Sequence, residues 1–293
     1  MTQHTFLQKE FDHRHIFLFN IFGHQSNSNS ARHRPLMYFK MIGMTKLPLC
    51  LLFTLCLCTS VLGATNDALF TQSGDSQRGS ITHEGNQLQT SLSQYGRENH
   101  TTIEQVGDAH HATVLQRGLH HMTDISQIGE GHVATLSQEG GANRLSLNQD
   151  GDAHEVDIRQ GPLSHEGHIT VEQFGTAHVA SAHQDGAYNT MTQHQEGYAN
   201  ILAASQLGDD NQIKQEQEGS GNEASARQHG YGNTISQTQI GNNNTAEAEQ
   251  FGQDNSITHT QIGDGLTYSI TQEGQGLAIT VTQDSTGTVA MSP

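Results

Sequence analysis

Asn233-Thr-Ile-Ser-Gln-Thr-Gln239-Ile-Gly241-Asn-Asn-Asn244-Thr-Ala-Glu-Ala-Glu-Gln250 holds the plan of the chain. Gln239 and Gln250 stand eleven residues apart, Gly241 follows the first by two, and Asn233 and Asn244 precede the two glutamines by six. Working outward, the same interval runs from Gln94 through Gln105, Gln116, Gln127, Gln138 and Gln149 to Gln160. It resumes at Gln173 and continues through Gln184, Gln195, Gln206, Gln217, Gln228, Gln239, Gln250, Gln261 and Gln272 to Gln283. The frame also reaches back to position 72, and of its twenty positions only His83 is not glutamine. A chain this periodic is built by stacking one unit, not by closing around a pocket.

Within a unit, the positions six, four and two residues before each Gln, and the Gln itself, share one parity and so one face of a strand. Asn99, Thr101, Ile103 and Gln105 are one such set, and His110, Ala112, Val114 and Gln116 the next. The intervening positions carry Glu104, Arg159, Lys214 and Glu247, as a solvated face does. Seven strand residues leave four for a corner of the form x-Gly-x-x, in which Gly supplies positive φ.

Two positions before Gln, the second half reads Ala182, Gln193, Ala204, Gln215, Ala226, Gln237, Ala248, His259. Small and large residues alternate with a period of 22, so like stacks on like only if one coil holds two strands. The predicted fold is therefore all-β, a solenoid of about ten 22-residue coils. The in-frame glutamines listed by number above, with Asn189, Asn200, Asn211, Asn222, Asn233, Asn244 and Asn255, are the candidate ladder residues, because an amide is satisfied by an identical amide one coil away. At Gln160-Gly161-Pro162 the next Gln comes after thirteen residues, which predicts a bulged corner.

With 33% hydrophobic residues, 5% aromatics and no Trp, the 293 residues cannot build a conventional core of that size. Residues 44–64, MTKLPLCLLFTLCLCTSVLGA, read as a secretory signal peptide, and residues 1–43 as an upstream extension. The apolar run Leu47 to Cys58 is too short for a bilayer core of roughly 30 Å, so no stable membrane insertion is expected. All three cysteines lie in this leader, leaving the exported part, residues 65–283 with a tail of 284–293, without disulfides or thiolate metal sites. From residue 65 onward, 7 Lys and Arg face 28 Asp and Glu, 7 − 28 = −21, which argues against nucleic acid as a partner. The outward acids read as solvated charges and as gatekeepers that delay aggregation.

His110, His132, His154 and His178 fall one coil apart once the two-residue insertion is allowed for. As a column they read as neutral imidazoles in the place of Asn, and as a candidate pH sensor, since protonating neighbours roughly 5 Å apart is mutually unfavourable. His165-Glu166-Gly167-His168 is one residue short of a zincin helix, and Gly74-Asp75-Ser76 lacks the setting of a nucleophile elbow. Asp150-Gly151-Asp152 and Asp209-Asp210-Asn211 read as turns. No catalytic, cofactor or metal residues are assigned. Thr258 and Thr260 over Thr280 and Thr282 suggest a flat threonine face, but Lys214, Glu216, Glu247 and Glu249 stand at the corresponding positions upstream.

Gln239, Gly241, Asn244, Ala246 and Gln250 match the spacing Gln-x-Gly-x-x-Asn-x-Ala-x3-Gln, and by it the chain resembles the curlin-repeat family from Asn66 to about Gln283. The resemblance implies a structural subunit of curli-like extracellular amyloid fibres, a pilus-like bacterial surface polymer serving adhesion and biofilm formation. It further implies export through an outer-membrane secretion pore with accessory factors, and a second curlin-type subunit beside the homopolymer. Asn66, Ala68, Phe70 and Gln72 are already in frame directly after the leader, without the Gly- and Asn-rich export segment of the major curli subunit. The minor, nucleating subunit is accordingly the alternative, and a monomeric ligand- or ice-binding solenoid a third reading. Neither end of the repeat shows a polar cap in sequence, so open ends that template further copies are expected.

Overall fold

The computed structural model describes residues 17–21, 65–286 and 289–292; the predicted signal peptide lies outside these. Twenty parallel strands alternate between two sheets, so that each coil contributes one strand to each. The first sheet starts with Asp67–Asp75 and ends with Thr267–Gln275; the second runs from Arg78–Asn86 to Ala278–Asp284. Successive strands of a sheet pair at an offset of 22, as in Gln217 beside Gln239 and Gly219 beside Gly241. The predicted two-strand coil is the one observed.

Alternation forms each strand: in His111–Leu119, Ala112, Val114 and Gln116 are buried while the residues between them face outward. The two buried faces meet in one core. In the first coils aliphatic side chains pack from both sheets, with Leu92, Val114, Leu136 and Ile158 on one side and Ile103, Ile125, Leu147 and Val171 on the other. Further along, Ala182, Ala204, Ala226 and Ala248 face Gln193, Gln215 and Gln237, small opposite large. Each buried Ile or Leu contributes about 1.5–3 kcal/mol.

The corner differs from the sequence reading. Most strands are nine residues long, pairing continues through the Gln-x-Gly segment, and only two residues, such as Ser76 and Gln77, lie between strands. Two positions of nearly every corner have positive φ, and only one was expected. Glycine takes φ +109 to +141 at nearly every strand end, and the residue two further on lies near +55, as in Glu98, Ala109 and Tyr188. Glycine is required at the first of these because a Cβ would sit 1.7–2.1 Å from the carbonyl oxygen of the glycine one coil on.

Gly161 to Gly167 form the widened corner after the short strand Glu155–Gln160, and both sheets run through it. There Ser164 presents its carbonyl to Gly140, where a glycine carbonyl stands elsewhere. The expectation of bare ends is corrected for one sheet at each end, while Thr267–Gln275 and Arg78–Asn86 remain edge strands among the described residues. Phe17–Ile21 pairs antiparallel with Asp67–Asp75, and Val289–Ser292 pairs antiparallel with Ala278–Asp284. Ser285 stands two residues after Gln283, where the corner glycine belongs, and the chain folds back instead of starting another coil.

Candidate functional site

Two columns of glutamine run along the stack, the second starting one coil in because His83 holds its first position. In the first sheet, nine links join Gln72, Gln94, Gln116, Gln138, Gln160, Gln184, Gln206, Gln228, Gln250 and Gln272, at 2.7–3.1 Å. In the second, eight join Gln105, Gln127, Gln149, Gln173, Gln195, Gln217, Gln239, Gln261 and Gln283 over the same range. Every link has the same sense: Nε2 of one coil donates to Oε1 of the next toward the C-terminus. Many of these Nε2 groups also donate to a backbone carbonyl of the facing sheet, as Gln239 does to Glu223 at 3.0 Å. The ladder thus ties coil to coil and sheet to sheet.

Six residues before each Gln lies a second pair of columns. Asn200, Asn222 and Asn244 each accept on Oδ1 the backbone N–H of the following coil's residue at 2.9–3.0 Å. In the other sheet Asn189, Asn211, Asn233 and Asn255 do the same at 3.0–3.1 Å. Their Nδ2 groups close the corner, as Asn222 does on Glu218 O and Gly241 O.

His110, His132, His154 and His178 occupy the first-sheet column directly before Asn200, with rings stacked at 4.8–5.0 Å and within 9° of parallel. Each Nδ1 accepts the backbone N–H of the next coil at 3.1–3.2 Å. Each Nε2 lies 2.9–3.2 Å from the carbonyl four residues back. An N–H pointing at Nδ1 places the ring proton on Nε2, so the imidazole does what Asn does, acceptor forward and donor back. Burial lowers the pKa of all four below the ordinary histidine value, His154 to about 4, and a neighbouring imidazole adds to this at His132, His154 and His178. His121 stands in the other sheet, between Asn99 and Asn143.

The column that the 22-residue alternation predicts two positions before Gln is observed: Gln193, Gln215 and Gln237 form an inner ladder at 2.9–3.0 Å. Two features escaped the sequence reading. Thr101 and Thr123 donate across the core to Gln116 and Gln138 at 2.8 and 2.6 Å, a contact between sheets that no period along the chain reports. His259 continues the inner column without a hydrogen-bond partner for either ring nitrogen, and burial pushes its pKa to about 4.

The remaining motifs are surface features. His165 and Glu166 form an exposed contact at 3.4 Å, and among the described residues no group of three or more His, Cys, Asp or Glu is placed to hold a metal ion. Asp75 ends a strand and Ser76 turns the corner. Asp209 accepts Ala187 N–H at 2.7 Å. Thr258 and Thr260 stack on Thr280 and Thr282, but Lys214 and Glu216, paired at 2.7 Å, break that face two coils earlier. No described helix is long and apolar enough to cross a membrane.

Gln239→Leu is expected to leave Gln217 Nε2 and Gln261 Oε1 each short of a partner, at a cost of about 1–3 kcal/mol. A fall in the urea unfolding midpoint checks it. An unchanged midpoint would show that the column adds nothing.

Residues 96–129, 122–151 and 241–274 match a family model described as the curlin associated repeat. No curated protein and no solved structure matches the chain.

Proposed function

By its three matched repeats the chain belongs to the curlin-repeat family, and from that premise we propose that it is a structural subunit of curli-like extracellular amyloid fibres that grow by templated addition of further copies. The observation that carries this reading is the unbroken, one-directional glutamine ladder in both sheets. Such a column specifies register as well as stability, because a coil added out of frame leaves amides unpaired. Its extension by a second copy repeats, between molecules, the contact each coil already makes within one.

The exported fibre, on this reading, serves cell adhesion and biofilm matrix on the bacterial surface, after passage through an outer-membrane pore with accessory factors. The same residues suit a nucleating subunit that starts a fibre of a second curlin-type chain. We assign the chain no catalytic step.

The test is thioflavin T fluorescence over time on the full chain and on the chain from Thr65 onward, with and without sonicated seeds of the same protein. A lag abolished by seeds is expected. A β-rich monomer indifferent to seeds would overturn the fibre reading.

A further inference from the structure

Resting on that reading, we propose that the C-terminal end of the stack is a half-closed docking edge for the N-terminal end of a second copy. It is open in the first sheet and held shut in the second by Val289–Ser292.

The open half is marked by an unmet hydrogen bond. Because every glutamine link donates toward the C-terminus, each column must leave one donor over at that end. In the first sheet it is Gln272, which accepts from Gln250 at 2.8 Å, is 2% exposed, and has no partner for its Nε2. The strand that carries it, Thr267–Gln275, is the last of its sheet among the described residues. Gln72 begins the same column and uses its Nε2 on Gln94, so its Oε1 is the matching acceptor at the opposite end. In the chain from Thr65 onward, which lacks the Phe17–Ile21 strand that otherwise covers this edge, laying Asp67–Asp75 of a second copy beside Thr267–Gln275 in the native register sets Gln72 on Gln272 and Gly74 on Gly274. That corner has room: the nearest atom to a Cβ built on Gly274 is 3.4 Å away, on Leu277, where other corners already hold a carbonyl at 1.7–2.1 Å.

The second half is obstructed twice. Thr280, Val281, Thr282 and Gln283 are paired with Ser292, Met291, Ala290 and Val289, occupying the backbone edge that Arg78–Asn86 of a second copy would need. Ser285 carries a Cβ at the column position where glycine is required, against which Gly85 of that copy would have to close. Addition therefore starts on the first sheet, and Val289–Ser292 must peel away before the second sheet seals. The hairpin is a brake on elongation.

Thr282 and Ala290 are cross-strand partners, so T282C with A290C can lock the hairpin by a disulfide. The pair is placed in whichever form of the chain grows faster in the seeding experiment, with Cys50, Cys56 and Cys58, where present, changed to Ser. Seeded elongation is expected to be slower in the oxidised form by about ten-fold or more, the equivalent of one or two backbone hydrogen bonds, and to return on reduction. Phe17–Ile21, where present, is common to both redox forms, so its effect cancels. A second variant ending at Asp284 is expected to elongate faster than its parent. Equal rates for the locked and reduced forms, with the disulfide verified by mass, overturn the brake and leave the fibre reading standing. Absence of seeded growth in the parent overturns both.

Discussion

Gly197→Ala is expected to destabilise the stack more than any surface substitution, and Ala199→Gly, two residues away, to leave it as stable or slightly more so. Gly197 has φ +115, a region that side chains rarely adopt, and a Cβ there would lie 2.1 Å from the carbonyl oxygen and 3.0 Å from the carbonyl carbon of Gly219. The obstacle is backbone of the next coil, which cannot rotate aside as a side chain can. Backbone strain alone costs about 1–3 kcal/mol. Relieving the overlap means separating two coils that Gln195 to Gln217 and Asn200 to Gly219 hold together at 3.1 Å, so the total is expected at roughly 3–5 kcal/mol, the range of the severe single substitutions. Ala199 is the opposite case. Its φ of +52 is left-handed α, which costs an alanine about 1 kcal/mol relative to glycine. Urea unfolding of the three proteins checks the pair. Equal midpoints for Gly197→Ala and the parent would show that the corner is not the close contact described.

This contrast also marks what the chain discloses before folding and what it does not. Anything that stacks is legible, because an offset of 22 in sequence becomes vertical neighbourhood in space. Gln217 over Gln239 and His132 under His154 follow from counting, and so does the corner glycine, whose recurrence reports a steric demand. The left-handed residue two places later is legible chiefly in the second half, where Gly221, Gly232, Asn243, Asp254 and Gly265 favour that conformation; Glu98, Ala109 and Tyr188 share no such propensity and are driven into it by the coil. The bond from Thr101 to Gln116 spans fifteen residues and joins the two sheets, so no column records it. Val289–Ser292 lies beyond the last periodic Gln, and its pairing follows from the free edge of Ala278–Asp284, not from any pattern of its own. The sense of the glutamine links is likewise invisible in sequence: an amide column can run either way, and its direction is set by the facing carbonyls that take the second Nε2 proton.

Acidification from pH 7 to pH 5 is expected to weaken the stack, and the histidine column to account for a separable share of the loss. The folded pKa of His110, His132, His154 and His178 is lowered chiefly by burial, and that of His154 reaches about 4. The carbonyls of Val106, Ile128, Asp150 and Phe174 chiefly oppose the shift, with Asp108 at His110, Asp150 and Asp152 at His132 and Asp152 at His154, whereas His110, His132, His178 and His194 reinforce it at their neighbours. Between the ordinary value of 6.5 and about 4, the unfolded chain therefore binds protons that the folded one refuses. Stability present above pH 6.5 is lost as pH falls through that window, by on the order of 1–2 kcal/mol at pH 5 for a ring such as His154. The geometry supplies the cause. A second proton has to go on Nδ1, where a backbone N–H of the next coil already points, and it would face other cations in a stack spaced at 4.8–5.0 Å. Replacing all four with Asn keeps the acceptor and donor that Asn200, Asn222 and Asn244 use, and removes the titration. The variant should thus match the parent near pH 7 and retain more of its unfolding free energy at pH 5. His83 and His259, lowered to about 4 by burial, and His121 and His168, also lowered chiefly by burial, remain in both proteins and contribute to the common part of the loss. An equal loss in parent and variant would show that the column stays neutral at no cost, and that acid acts on the stack elsewhere.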